Sequence, residues 1–121
     1  MEMQVTVLFV DDSEVIRDAV KDIFEGYIPW AKLLMAEDGV IAWGVIKTPG
    51  LNIKLLVSDT NMPNRNGPDL IEQVRKEYPE IMTVLISAND PPPSHPAHFF
   101  VGKPFDIDEF VSLVKRLAGK T

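Results

Sequence analysis

The sequence feature that most limits the fold of this chain is the run Lys-Leu-Leu-Val at residues 54–57, which leads into Ser58 and Asp59. The run lacks the alternation of polar and apolar side chains that is typical of a half-solvated strand. It therefore predicts a central strand of a parallel sheet, covered on both faces. Such a strand delivers Asp59 to its carboxyl end, where open parallel sheets collect ligands. Taken alone, Asp59 could instead merely cap a turn.

Strand and helix patterns alternate on both sides of this segment. Residues 5–10, 32–35, 82–86 and 99–101 are short apolar runs that predict further strands. Four amphipathic patterns predict helices, which is typical of an α/β layer fold with a parallel sheet and right-handed crossovers. The helical stripes expected to face the core are Val15, Ile16, Ala19, Val20, Ile23 and Phe24; Ala42, Trp43 and Ile46; Leu70, Ile71, Val74 and Tyr78; and Ile107, Phe110, Val111, Val114, Leu117 and Ala118.

Polar residues mark where these helices begin. Asp12 or Ser13 is expected to cap the first helix, and Asp106 the last. The second helix should start near residues 37–39 and stop near residues 48–50, while Pro68 suits the first turn of the third.

The alternation breaks between the fourth and fifth predicted strands. The connection contains Pro91, Pro92, Pro93 and Pro96 within residues 88–98. A helical crossover needs about 10–12 residues with its loops, and each interior proline costs about 3 kcal/mol in a helix. The sequence therefore predicts an extended, polyproline-like connection, with a helix there shortened or absent.

Composition bounds the class of protein. A chain of 121 residues with 45% apolar content is expected to form one domain, residues 1–121, around one core. A net charge of -6 argues against nonspecific binding to nucleic acid or anionic membranes. The absence of cysteine excludes disulfides and thiolate metal sites. No stretch approaches the roughly 20 apolar residues of a membrane span, and no signal-peptide pattern is present, so the cytoplasm is the expected location.

Polar residues follow four of the predicted strands, and the carboxyl ends of parallel strands share one edge of a sheet. Three carboxylates at that edge would repel one another, and a hard divalent cation with oxygen ligands offsets such repulsion. Mg²⁺ fits best because it leaves positions open for a phosphoryl oxygen. An ammonium and a hydroxyl beside it would complete a phosphoryl pocket with a carboxylate as nucleophile. The residues concerned are Asp11, Asp12, Asp59, Ser87 and Lys103.

Five segments at these positions resemble the signatures of the response-regulator receiver domain of two-component signalling. They are residues 10–13 (Val-Asp-Asp-Ser), residues 58–63 (Ser-Asp-Thr-Asn-Met-Pro), Asn66 with Gly67, residues 86–88 (Ile-Ser-Ala) and residues 102–105 (Gly-Lys-Pro-Phe). The resemblance covers essentially the whole chain. It implies a flavodoxin-like, doubly wound, five-stranded parallel sheet in the order 2-1-3-4-5.

The resemblance also implies a metal site and a phospho-acceptor. Asp59 would accept the phosphoryl group. Mg²⁺ would be the cofactor, with Asp12 as a direct ligand, Asp11 acting mainly through water, and Asn61 contributing its backbone carbonyl. A histidine kinase or phosphotransfer protein would be the donor.

A switch is implied as well. Ser87 would be the hydroxyl that hydrogen-bonds the phosphoryl group, Lys103 would pair with its oxygens, and Phe100 would be the aromatic ring that turns inward. Lys103 and Pro104 match a site of a cis peptide in the family. The signal would pass to an output domain or partner protein, with dimerisation an option. Because the connection before the fifth strand departs from the family pattern, we hypothesise that readout runs through the proline-rich loop.

By the same resemblance the domain is not a conventional enzyme. It would promote only its own phosphorylation and dephosphorylation, with Asn61 and Asn89 lining the path of the attacking water. A phosphorylation-independent interaction module is an alternative, although the complete set of acids, hydroxyl and lysine argues against it. A phosphatase of the haloacid dehalogenase type would need a second aspartate two residues after Asp59, where Asn61 stands.

Two further motifs predict no site. His95 and His98 lie in the proline-rich loop, where we expect their rings to be exposed to solvent and not to bind a metal. Residues 119–121 (Gly-Lys-Thr) imitate the end of a phosphate-binding loop, but position 114 is not glycine and the segment ends a helix.

Overall fold

The computed structural model describes residues 4–88 and 95–119. Five parallel strands form one sheet in the order β2-β1-β3-β4-β5, which confirms the predicted flavodoxin-like α/β fold. The strands are β1 (Thr6–Val10), β2 (Lys32–Ala36), β3 (Ile53–Asp59), β4 (Met82–Ser87) and β5 (Phe99–Gly102). The helices are α1 (Glu14–Tyr27), α2 (Gly39–Ile46), α3 (Gly67–Glu77) and α4 (Ile107–Ala118).

The sheet is covered on both faces. In β3 every residue except Lys54 is buried, as the continuous apolar run predicts. Leu55 and Val57 belong to the core cluster beneath α1 and α4, whereas Leu56 belongs to the cluster beneath α2 and α3. The two core layers therefore fix the register of the central strand, and Asp59 emerges at its carboxyl end.

Each helix begins at a side chain that accepts a hydrogen bond from the N–H three residues later. These caps are Ser13, Asp38, Asn66 and Asp106. Ser13, and not Asp12, therefore caps α1, which leaves the Asp12 carboxylate available to the sheet edge. Asp106 caps α4, and Pro68 lies in the first turn of α3, as predicted.

Two of the predicted core stripes extend too far. Val15 is 77% exposed and Ile107 is 47% exposed, and Ala19 is also exposed. Ile16, Ala19 and Ile23 of α1 and Ile107 at the start of α4 line an apolar groove that also includes Phe105 and is open to solvent. Periodicity places these residues on the inward side of each helix, but no element within residues 4–88 and 95–119 covers them there.

Most of the proline-rich connection lies outside the described residues, so the predicted extended conformation of residues 89–94 stays a prediction. Within the described ranges there are four helices, and none lies between β4 and β5. Residues 95–98 pack there as irregular chain, with Ala97 buried in the core cluster beneath α2 and α3. Arg75 donates from Nη1 to the carbonyl oxygen of Pro96 at 2.7 Å. This contact ties the end of the connection to α3.

The two histidines of this segment are not solvent-exposed, contrary to the sequence-based expectation. His98 Nδ1 accepts the backbone N–H of Thr83 at 3.0 Å and lies 2.8 Å from the Thr83 hydroxyl. Burial, together with the charge of Arg75, lowers the pKa of His98, which favours the neutral ring that such an acceptor requires. The His95 ring lies 5.8 Å from that of Phe100. Both rings therefore belong to the packing around β4 and β5.

Candidate metal centre at the carboxyl edge of the sheet

Three carboxylates from two strand ends meet at one edge of the sheet. Asp11 directly follows β1 and is fully buried, Asp12 beside it is exposed, and Asp59 is the buried last residue of β3. One oxygen from each lies within 4.8 Å of the others. The convergence predicted from the strand ends is therefore present, and this donor set fits a hard cation that prefers oxygen ligands.

Lys103 follows β5 and reaches into the same cluster. Its Nζ lies 2.8 Å from Asp11 Oδ2 and 3.3 Å from Asp59 Oδ1. Its backbone N–H donates to the carbonyl oxygen of Ser87 at 2.8 Å, so the lysine backbone is held at the end of β4. The peptide bond to Pro104 is cis, as expected. Burial works to lower the pKa of Lys103, but the hydrogen bond to Asp11 and the charges of Asp11 and Asp59 outweigh it, so the pKa is raised.

The Asp59 carboxyl lies in an environment that disfavours its ionised form. Burial is the main cause that raises its pKa, and the neighbouring charge of Asp11 adds to it. Lys103 and the backbone N–H of Thr60 act in the opposite direction without cancelling the rise. A further positive charge at this edge would therefore favour the ionised form of Asp59.

The other predicted site residues lie around this cluster at different distances from it. Ser87 is the buried last residue of β4, the strand that pairs with β3. Asn61 lies in the loop after β3 and is exposed. Phe100 does not join the acidic cluster. It lies on β5 opposite Leu85, half-buried against the core beneath α2 and α3.

Two residues at the site carry contacts that the sequence did not predict. Thr60 donates its N–H to Asp59 Oδ1 at 2.9 Å and its hydroxyl to the carbonyl oxygen of Ile86 at 2.8 Å, so it links the ends of β3 and β4. Arg17 donates from Nη1 to the carbonyl oxygen of Asp11 at 2.7 Å. A hydroxyl next to the central aspartate was the available signal for Thr60, whereas an arginine on a helix gives no such signal.

Comparison with known proteins gives a family match along most of the chain. The model of the response regulator receiver domain family matches residues 7–115. The chemotaxis protein CheY homolog of Campylobacter jejuni is 34% identical over 83 residues, which are 67% of this chain and 62% of that protein. The matched part is thus under two thirds of the length of that relative.

Solved structures share the architecture. The signal receiver domain of an HD domain-containing protein from Pseudomonas fluorescens superposes with a TM-score of 0.84 at 19% identity, covering 97% of this chain and 88% of that one, which is a likeness of fold. The response regulator protein TrrA from Thermotoga maritima, in complex with Mg²⁺ and BeF, has a TM-score of 0.81 at 26% identity, covering 93% of this chain and 97% of that one.

Proposed function

This chain belongs to the response regulator receiver domain family, whose general function is to be phosphorylated by a histidine kinase, and from that premise we propose that Asp59 is its phospho-acceptor. The observation that carries the proposal is the convergence of Asp59 with Asp11, Asp12 and Lys103 at one edge of the sheet. Asp59 ends the central strand, with its carboxylate partly accessible beside the Lys103 ammonium. We propose that residues 1–121 act as one such domain.

The chemistry assigned to Asp59 is a displacement at phosphorus. A carboxylate oxygen of Asp59 forms a bond to the phosphorus as the bond between that phosphorus and the imidazole nitrogen of a phosphohistidine breaks. The imidazole leaves with the electron pair and takes up a proton, and an aspartyl phosphate results. Lys103 stands where its ammonium can pair with phosphoryl oxygens, since its Nζ already lies 3.3 Å from Asp59 Oδ1.

The cofactor in this proposal is Mg²⁺, which Asp11, Asp12, Asp59 and the backbone carbonyl of Asn61 would hold. Bound there, it would neutralise the acidic cluster and stabilise charge on the transferred phosphoryl group. The donor set supports this choice because it consists of carboxylate oxygens within 4.8 Å of one another. The magnesium in the TrrA structure, a relative with the same fold, also supports it.

The switch in this proposal runs from Ser87 to Phe100. Ser87 ends the strand beside Asp59, so its hydroxyl can donate to a phosphoryl group there. Phe100 lies on the next strand, and the His95 ring lies 5.8 Å from it. A rotation of the Phe100 ring would therefore first displace the segment before β5. We propose that this segment, with the proline-rich residues that precede it, carries the readout to an output domain or partner protein.

Within the proposal the donor is a histidine kinase or phosphotransfer protein, and the domain promotes its own phosphorylation and later hydrolysis. The described helices include none that is long and apolar enough to cross a membrane.

The test is incubation with acetyl phosphate and Mg²⁺, followed by intact-mass measurement. We expect a gain of one phosphoryl group that is lost in base, requires Mg²⁺ and is absent in Asp59→Asn. A matched control is Asp22→Asn, which removes an exposed acid on α1 and should label like wild type. No base-labile gain, or a gain that survives Asp59→Asn, would overturn the proposal and favour a phosphorylation-independent module.

A further inference from the structure

Asp38 holds two elements at once. Its Oδ1 accepts the N–H of Ile41 at 2.9 Å and so caps α2, while its Oδ2 accepts the side-chain amide of Asn64 at 2.8 Å. The residue is only 5% exposed. The hydrogen bonds from Ile41 and then Asn64 lower the pKa of Asp38, which keeps the carboxylate ionised for both partners. A helix cap needs only the first of these contacts.

Asn64 belongs to the loop at residues 60–66, which leads from Asp59 to α3 and carries Asn61. Its φ of 68° lies in the left-handed region, where a residue other than glycine needs local support. The Asp38 carboxylate supplies a charged partner at that point. Next to it, the N–H of Gly39 donates to the carbonyl oxygen of Arg65 at 3.3 Å, and a Cβ on Gly39 would lie 2.7 Å from that oxygen. The start of α2 is therefore built against this loop.

The two ends of the loop are fixed by other contacts. Thr60 is bonded to the Asp59 carboxylate and to β4. The N–H of Gly67 donates to the carbonyl oxygen of Thr60 at 2.9 Å. The middle of the loop is held from α2, through Asp38 and Gly39. Loss of the contact between Asp38 and Asn64 would loosen the middle of the loop while leaving its ends in place.

We propose that Asp38 is a positioning residue for the metal centre, which fixes the loop carrying Asn61 through its hydrogen bond to Asn64. The inference rests on the proposed function, because it is the Asn61 carbonyl that this loop would present to Mg²⁺. Asp38 does not touch the metal. It fixes the conformation of the backbone that would present the Asn61 carbonyl to Mg²⁺. Loss of the Asp38 carboxylate should therefore weaken Mg²⁺ binding, because the loop would have to become ordered when the ion binds.

Two substitutions separate this role from helix capping. Asp38→Ser keeps a good N-cap but loses the second carboxylate oxygen, and Asn64→Gly keeps the left-handed φ but loses the amide. The matched control is Asp106→Ser, which removes the same charge from the N-cap of α4, where the carboxylate accepts the N–H of Glu109 at 3.0 Å.

The measurement is a titration with Mg²⁺ alone, followed by the amide chemical shifts of Thr60 and Asn61, with thermal unfolding recorded before Mg²⁺ is added. We expect Asp38→Ser and Asn64→Gly each to weaken Mg²⁺ binding about three- to tenfold. This is less than the full contribution of a charged hydrogen bond, because the ends of the loop stay anchored. The double variant should bind no more weakly than either single one, since both remove one contact. Asp106→Ser should bind within about twofold of wild type, since solvent and salt screen its charge from the site.

Several results would overturn the inference. One is that both single variants bind Mg²⁺ like wild type. Another is that Asp38→Ser weakens binding whereas Asn64→Gly does not. A third is that the two losses of affinity add in the double variant. An equal loss in Asp106→Ser would show that the charge acts and not the loop. If wild type itself gave no Mg²⁺-dependent shifts and no acetyl phosphate labelling, the proposed function would fail, and this inference with it. Labelling of wild type with no change in the variants would overturn the inference alone.

Discussion

Lys103 lies nearer to Asp11 than to Asp59: its Nζ is 2.8 Å from Asp11 Oδ2 and 3.3 Å from Asp59 Oδ1. Asp11 is fully buried with the lysine in place, so the ammonium, and not solvent, is the partner of its Oδ2. The contact joins the ends of β1 and β5, which are separated in the sheet by β3 and β4. The ammonium is therefore a structural tie across the sheet edge as well as a candidate phosphoryl partner.

The first prediction concerns this tie. Lys103→Met keeps most of the side-chain length but removes the charge, which leaves the buried Asp11 carboxylate with less compensation. We expect the free energy of unfolding at pH 7 without added Mg²⁺ to fall by about 1–3 kcal/mol, measured by urea denaturation. Saturating Mg²⁺ should stabilise the variant more than wild type, because it would supply the missing positive charge.

Lys103→Arg is the control, since it keeps a cation at the same point. It should lose less stability than Lys103→Met. Equal stability of Lys103→Met and wild type without Mg²⁺ would contradict the structural role of the lysine.

The second prediction concerns pH and Asp59. Because the folded protein holds this carboxyl with a raised pKa, it binds the proton more tightly than the unfolded chain does. The contribution of Asp59 to stability should therefore fall as pH rises through the window that begins at the ordinary value of 3.8. Asp59→Asn should remove this loss, so the stability of the variant relative to wild type should increase between pH 4 and pH 7, measured by urea denaturation at each pH.

Asp22→Asn, on the exposed surface of α1, is the control for loss of one carboxyl away from the acidic cluster. A constant difference between Asp59→Asn and wild type across this range would contradict the prediction. Mg²⁺ should reduce the difference at pH 7, since it would favour the charged form of wild-type Asp59.

The α/β class and the acidic cluster could be predicted because both follow from local patterns, whereas the strand order was expected from the resemblance to receiver domains. An uninterrupted apolar run such as residues 55–57 is typical of a strand covered on both faces, and parallel strands bring their ends together whatever their separation in the chain. Asp11, Asp12, Asp59 and Lys103 were placed together by that rule alone.

The rest depends on contacts between distant segments. Periodicity gives the inward side of a helix but not the extent of its neighbour, so the exposure of Val15 and Ile107 could not be foreseen. Asp38 and Asn64 are 26 residues apart, and no pattern in either segment predicts the contact between them. The same holds for His98, which precedes β5, and its partner Thr83, which lies on β4.

The third prediction concerns the segment before β5. His98 has a lowered pKa, and its neutral Nδ1 accepts the Thr83 N–H. The stability that it contributes should be present above its ordinary pKa of 6.5 and be lost as pH falls through the folded-state value. His98→Asn places an oxygen near the Nδ1 position and does not titrate. Between pH 7.5 and pH 5, wild type should therefore lose more unfolding free energy than His98→Asn.

The measurement is urea denaturation of both proteins at the two pH values. Parallel pH profiles for wild type and His98→Asn would contradict the assigned acceptor role.

The last prediction concerns how closely the loop after β3 returns to its own strand. Gly67 opens α3, and a Cβ there would collide with the backbone carbonyl oxygen of Asp59, an atom held by the sheet. Gly67→Ala should therefore lower the free energy of unfolding by about 2–3 kcal/mol. At a temperature where the variant is still folded, labelling by acetyl phosphate should be slower, because Asp59 is displaced.

Gly44→Ala is the matched control within α2, where a Cβ meets nothing within 4 Å. It should stabilise the protein by about 0.5–1 kcal/mol and leave labelling unchanged. Equal effects of the two substitutions would show that the close approach of residue 67 to the phospho-acceptor strand does not constrain the site.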